Sequence, residues 1–223
     1  MYRYAAIVSM LLAGALLASV AHADEITTYG AGLQSCQSYL DARQQDGAEQ
    51  VAFVDWLSGY FSGVNKTSTH RNNFFGLSDL NRAMSWLEQY CTARPRVHFA
   101  EAVGMMLLGA KPGPQAHSIG VTTYGSADKS CSVYLEAREQ RDAIYAAAAA
   151  EFTNWLGGYL SGVNARSFST NNGLGSAELA DAVSWLEGYC GAHPLASFGN
   201  AVDALVLAHQ PRYASQPNTP AKY

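Results

Sequence analysis

The chain has 223 residues, with 14 Lys and Arg against 18 Asp and Glu, a formal net charge of −4. That balance argues against a nucleic-acid partner, which calls for a concentrated basic footprint. The length allows one large domain or two small ones.

The first 23 residues read as a cleaved signal peptide. Met1-Tyr2-Arg3-Tyr4 is a short cationic start, Ala5 to Val20 is apolar, and Ala21-His22-Ala23 puts small residues where a signal peptidase reads them. The apolar run is short of the roughly 20 residues that span a bilayer comfortably. No cysteine lies near Ala23 to carry a lipid, so no stable membrane anchor is expected. The expected location is periplasmic or secreted. There, four cysteines are most simply read as two disulfides.

The remainder repeats itself. Thr27-Thr28-Tyr29-Gly30 returns as Thr122-Thr123-Tyr124-Gly125, and Cys36, Tyr39 and Arg43 return as Cys131, Tyr134 and Arg138. Trp56-Leu57-Ser58-Gly59-Tyr60-Phe61-Ser62-Gly63-Val64-Asn65 returns as Trp155-Leu156-Gly157-Gly158-Tyr159-Leu160-Ser161-Gly162-Val163-Asn164. Trp86-Leu87-Glu88 with Tyr90-Cys91 returns as Trp185-Leu186-Glu187 with Tyr189-Cys190. The offset changes from 95 to 99 across Ala146 to Ala150, an alanine insertion that lengthens a helix by about one turn. The expected organisation is a signal peptide (1–23), repeat 1 (24–110), a Gly/Pro linker (111–120), repeat 2 (121–209) and a Pro-containing disordered tail (210–223).

Each repeat predicts four helices, giving an all-α fold of two tandem homologous four-helix domains. The first helix carries a cysteine, over roughly Leu33 to Gln45. The second shows Val54, Leu57, Phe61 and Val64 at helical spacing, matched by Phe152, Leu156, Tyr159 and Val163. The third starts near Ser78 or Ser176 as N-caps, with stripes Leu80, Met84, Leu87, Cys91 and Leu179, Val183, Leu186, Cys190. Pro95 and Pro194 end it or open the fourth, which carries Phe99, Val103 and Met106, or Phe198, Val202 and Leu205. Four cysteines allow three pairings. The inward third-helix cysteines and the repeat favour Cys36–Cys91 and Cys131–Cys190, one bridge within each domain. With no CxxC and no His pair at ligand spacing, no metal and no cofactor are expected.

Gly59-x-x-x-Gly63 and Gly158-x-x-x-Gly162 allow a close helix approach, inside a domain or between the copies, or else the approach of a ligand to the backbone. Asn65 and Asn164 read as helix terminators, since Asn tolerates the left-handed conformation. Arg43 and Arg138 could clamp a carboxylate with their planar forks, stack on tryptophan or cap carbonyls. Tyr60 and Tyr159 belong to the core or to a groove rim. These six, Arg43, Arg138, Tyr60, Tyr159, Asn65 and Asn164, are the candidate binding residues. No GxSxG, phosphate-cradling loop or histidine shared by the repeats is present, so no catalytic residue and no enzyme activity is expected.

The order of one cysteine, Trp-Leu-x-Gly-Tyr-x-Ser-Gly, Trp-Leu-x-x-Tyr-Cys-x-x-x-Pro and Phe-x-x-Ala-Val resembles the HdeA-like superfamily of small disulfide-bonded periplasmic helical proteins. That group includes acid-stress chaperones and type VI secretion immunity proteins. The resemblance spans both repeats and implies disulfide roles for Cys36, Cys91, Cys131 and Cys190. It also implies a non-enzymatic protein that engages a protein partner, with an acid-stress chaperone or a small-ligand or envelope-component binder as alternatives. The two copies could pack as a covalent pseudo-dimer.

Overall fold

The structure is a computed structural model that describes residues 26–45, 47–68, 80–109, 121–140, 142–167 and 172–209. Within these residues the fold is all-helical: α1 (Cys36–Gln45), α2 (Ala48–Thr67), α3 (Leu80–Ala93), α4 (Phe99–Gly109), α5 (Cys131–Glu139), α6 (Ala143–Arg166), α7 (Leu179–Ala192) and α8 (Phe198–His209). A 3₁₀ turn precedes α1 at Gly30–Leu33 and α5 at Gly125–Asp128. Gly30 and Gly125 open those turns at φ of +59° and +67°, a conformation that side-chain-bearing residues rarely adopt. The alanine insertion has the expected effect: α6 is 24 residues long against 20 for α2.

Both disulfides form as the stripes suggest, Cys36–Cys91 joining α1 to α3 and Cys131–Cys190 joining α5 to α7. Their sequence separations of 55 and 59 residues make each bridge worth about 4 kcal/mol if it acts by restricting the unfolded chain. Each half then builds its own aromatic core. Tyr39, Phe53, Trp56 and Phe99 meet with ring centroids 4.8–5.7 Å apart, and Tyr134, Phe152, Trp155 and Phe198 meet at 4.8–5.8 Å. The Tyr39 hydroxyl donates to the Met84 carbonyl and the Tyr134 hydroxyl to that of Val183, so each ring spends its one polar group on its own third helix.

α2 and α6 cross at backbone contact and hold the halves together. A Cβ on Gly59 would enter the Trp155 carbonyl and stand 2.9 Å from the Tyr159 nitrogen; one on Gly63 would stand 3.1 Å from the Val163 nitrogen. Reciprocally, a Cβ on Gly158 would strike the Trp56 carbonyl and stand 2.9 Å from the Tyr60 nitrogen, and one on Gly162 would strike the Tyr60 carbonyl. Positions rise together along both helices, so the crossing is parallel. Small residues at a four-residue spacing are the general device for such an approach. Of the uses the sequence allowed for these glycines, the structure has the helix approach between the halves. It also accounts for α2 being buried without interruption from Trp56 to Asn65: one face meets its own core and the opposite face meets α6.

Three helix boundaries differ from the sequence reading. α7 is capped at Glu178, which exchanges hydrogen bonds with Asp181 in a capping box, and Ser176 lies outside the helix. The carboxylate pair satisfies two of the free N–H groups of the first turn, which one serine could not. Asn65 and Asn164 do not end their helices, which continue to Thr67 and Arg166. The signal peptide (1–23), linker (111–120), tail (210–223) and Ser78 lie outside the described residues.

The crossing sets a sharp expectation. Gly59→Ala or Gly158→Ala pushes a methyl group into main chain that cannot yield, costing at least about 2–3 kcal/mol in chemical denaturation. Gly188→Ala in α7, where a Cβ meets nothing within 4 Å, gains up to about 1 kcal/mol from helix propensity.

Candidate functional site

The recurring Trp-x-x-Gly-x-x-Ser-Gly-Val-Asn segment forms one continuous site at the crossing, and each of its polar residues has a main-chain partner. The Trp56 indole N–H donates to the Tyr29 carbonyl at 2.7 Å, and that of Trp155 to the Tyr124 carbonyl at 2.6 Å. Each tryptophan thus holds the Thr-Thr-Tyr arm of its own half. The serine and asparagine hold the other half's arm. Ser62 Oγ accepts the Tyr124 N–H at 2.9 Å while donating to the Ser58 carbonyl one turn back, and Asn65 Nδ2 donates to the Thr122 carbonyl at 2.9 Å. Ser161 and Asn164 do the same for the Tyr29 N–H and the Thr27 carbonyl, at 2.9 and 2.8 Å. Asn164 Oδ1 also accepts the Gly173 N–H, and the Tyr29 hydroxyl donates to Asn172 Oδ1 at 2.8 Å.

The six candidate binding residues therefore have different surroundings. Asn65 and Asn164 are buried clamps for the arms. Tyr60 and Tyr159 are buried and stack on Trp56 and Trp155 at 5.0 and 5.1 Å. The Tyr159 hydroxyl donates to Asp203 on α8. Burial pushes the Tyr60 phenol up to about 12 and holds that of Tyr159 well above its usual range, the neighbouring Asp203 charge adding to the second. Arg43 pairs with Glu88 at 3.2 Å and Arg138 with Glu187 at 2.8 Å, each tying α1 or α5 to the third helix of its half beside the disulfide. Both pairs are partly exposed, so each contributes on the order of 0–1 kcal/mol.

A second cluster had no signal in the repeat, because it exists once. Asp55 of α2 sits beside Glu151 of α6, whose carboxylate takes Lys129 Nζ at 2.5 and 2.7 Å and the Ser126 hydroxyl at 2.7 Å. Asp55 Oδ2 is buried without a hydrogen-bond partner among the described residues. Burial, then the Glu151 charge, push the Asp55 carboxyl up to about 7, with Lys129 opposing them. The position corresponding to Asp55 in the second half is Asn154, and those corresponding to Lys129 and Glu151 are Gln34 and Ala52. The sequence showed the Asp55/Asn154 difference but not the neighbour across the crossing.

Among the described residues no three His, Cys, Asp or Glu side chains form a group that could hold a metal, and no helix is long and apolar enough to cross a membrane. Comparison with protein-family models, with curated proteins and with solved structures finds no match for this chain.

Removing an arm clamp leaves a buried carbonyl unpaired. Asn65→Ala and Asn164→Ala are each expected to cost about 1–3 kcal/mol, with faster amide exchange in the arm across the crossing as the local signature. For Asp55, the folded protein holds its proton more tightly than the unfolded chain. Its stabilisation is complete below a pH of 3.8 and lost as the pH rises through about 7. Asp55→Asn removes that loss. Its stability advantage over the parent in chemical denaturation should grow between pH 4 and 7 and level off above, reaching about 1–2 kcal/mol once solvent screening is allowed for.

Proposed function

We propose that the chain is a tandem duplication folded as a covalent pseudo-dimer, and that it is a non-catalytic binding protein of an oxidising exported compartment that engages a protein partner. The two disulfides and the signal-like first 23 residues support the compartment. The reciprocal contacts of α2 with α6, and of each arm with the opposite half, support the pseudo-dimer.

The partner reading rests on an aromatic strip that recurs on α3 and α7, beside their buried stripes. Trp86 stacks on Tyr90 with centroids 5.1 Å apart and planes 15° off parallel, and Arg94 lies 4.6 Å over the Tyr90 ring. Trp185 stacks on Tyr189 at 5.2 Å and 16°, with His193 4.5 Å beyond. Trp86 keeps 37% of its surface in solvent. Buried aromatics need no further account in a helical protein. A stacked Trp-Tyr pair ending in Arg or His recurs in both halves, exposed at Trp86 and partly buried at Trp185, and has the composition of an interface hot spot. Two such strips on one molecule suit a partner that grips both or a pair of partner subunits. The resemblance to periplasmic immunity proteins points the same way.

The test is affinity capture of the purified, disulfide-bonded protein from envelope extracts at neutral pH, compared with a Trp86→Ala/Trp185→Ala variant. One stoichiometric protein partner is expected, with affinity falling at least about 30-fold in the double variant while its melting temperature stays within a few degrees. Capture that is indifferent to both tryptophans, or no protein partner at all, overturns the reading.

A further inference from the structure

The joint between the halves carries a carboxylate that the repeat replaces by an amide. Asp55 immediately precedes Trp56, whose indole holds the first arm and whose carbonyl lies against Gly158. Glu151 of α6 stands one turn before Trp155, whose carbonyl lies against Gly59. Ser126 and Lys129, which both bind the Glu151 carboxylate, belong to the turn that follows the second arm. Three of the parts that must meet to close the molecule, α2, α6 and the second arm, therefore converge on this one cluster. The corresponding residues of the repeat are Asn154, Ala52, Ala31 and Gln34, and none carries a charge.

The cluster holds two carboxylates and one cation. Lys129 Nζ donates to both Glu151 oxygens, at 2.5 and 2.7 Å, and the Ser126 hydroxyl adds a third bond to the same carboxylate. Asp55 Oδ2 is buried with no hydrogen-bond partner among the described residues. Ionised, Asp55 sets a second negative charge beside Glu151 where water screens it poorly. Protonated from solvent, it is neutral, and one ammonium balances one carboxylate. The proton on Asp55 thus decides whether α2 and α6 repel each other at this edge of the crossing. Burial and the Glu151 charge, with Lys129 opposing them, keep that proton in place up to a pH of about 7.

Parting of the halves need not unfold them. Each has its own disulfide and its own aromatic core, whereas the crossing is held by helix contact and by the arm hydrogen bonds. We propose that this cluster makes the joint a proton-operated clasp: one proton on Asp55 closes the crossing and its exchanged arms, and loss of that proton favours their release while each half stays folded. The sense is the reverse of acid-triggered opening, since the molecule tightens as the medium acidifies. The aromatic strips of α3 and α7 take no part, so the clasp and the protein-partner reading stand or fall separately.

Native-state hydrogen exchange of the purified, disulfide-bonded protein is the test. The amides of Tyr29 and Tyr124, held by Ser161 and Ser62 across the crossing, report on the joint. Those of Leu87 and Leu186, buried in α3 and α7, report on the halves. At pH 7.5, with intrinsic rates divided out, the arm amides should exchange at least about tenfold faster than the core amides, because the joint opens before the halves unfold. At pH 5 arm exchange should slow about tenfold on the same scale, since the closed joint holds a proton that the open one, with an Asp55 value of 3.8, has lost. Asp55→Asn should be as slow at pH 7.5 as the parent is at pH 5, and change less than about twofold between them. Glu151→Gln removes the repelling charge and leaves Lys129 to face Asp55, so its loosening should be complete at a lower pH than in the parent. Arm amides no faster than core amides overturn an opening at the joint. An equal pH response in Asp55→Asn overturns the trigger, and an unmoved pH range in Glu151→Gln overturns the part given to Glu151.

Discussion

The approach of α2 to α6 is the constraint from which the rest of the architecture follows. Two helices whose main chains touch must present hydrogen where other helices carry side chains, and Gly59, Gly63, Gly158 and Gly162 do so at the points of contact. The same approach brings each helix within reach of a strand-like arm from across the crossing. A serine one position before the second glycine and an asparagine two positions after it then meet an extended backbone at its N–H and its carbonyl. Helix interiors disfavour serine and asparagine because they compete for local main chain. Here Ser62 and Ser161 use that tendency, donating to the preceding turn while accepting from the arm.

Around this shared frame the halves differ in their polar groups. The aromatic cores are nearly superposable in kind, but Asp55 stands against Asn154, Lys66 against Ala165 and Asp203 against Gly104. The glycine contacts tolerate no added carbon. The surrounding positions, farther from backbone contact, can exchange a charge for a methyl group or for nothing. Lys66 and Asp203 form an ion pair in one place, and Ala165 and Gly104 leave none in the other.

The elements and the disulfides were legible in the sequence because their signals are local. Leu80, Met84, Leu87 and Cys91 define a helical face by spacing alone, and the four-residue shift between the repeats measured the difference in length between α2 and α6. The roles of the candidate residues were not legible, because their partners are distant and belong to the main chain. Asn65 bonds a carbonyl 57 residues away and Asn164 one 137 residues away, and a carbonyl carries no residue identity to read. Taken along one helix, an asparagine after Gly-Val looks like a terminus. Across the crossing it is a clamp.

The exchange of arms also imposes an order on biosynthesis. Because the chain is made from its N-terminus, α2 and the first arm exist about 95 residues before the arm and helix that complete them. Until then the first half has a bare glycine face and an arm held by Trp56 alone. The best available match for both is the same half of another molecule, which offers an equivalent glycine face and an equivalent Ser-Gly-Val-Asn clamp. Physical linkage resolves that competition through local concentration, which a tether of this length sets far above the supply of other nascent chains. Covalent linkage thus favours pairing within one molecule over the symmetric exchange between two that the same contacts would permit.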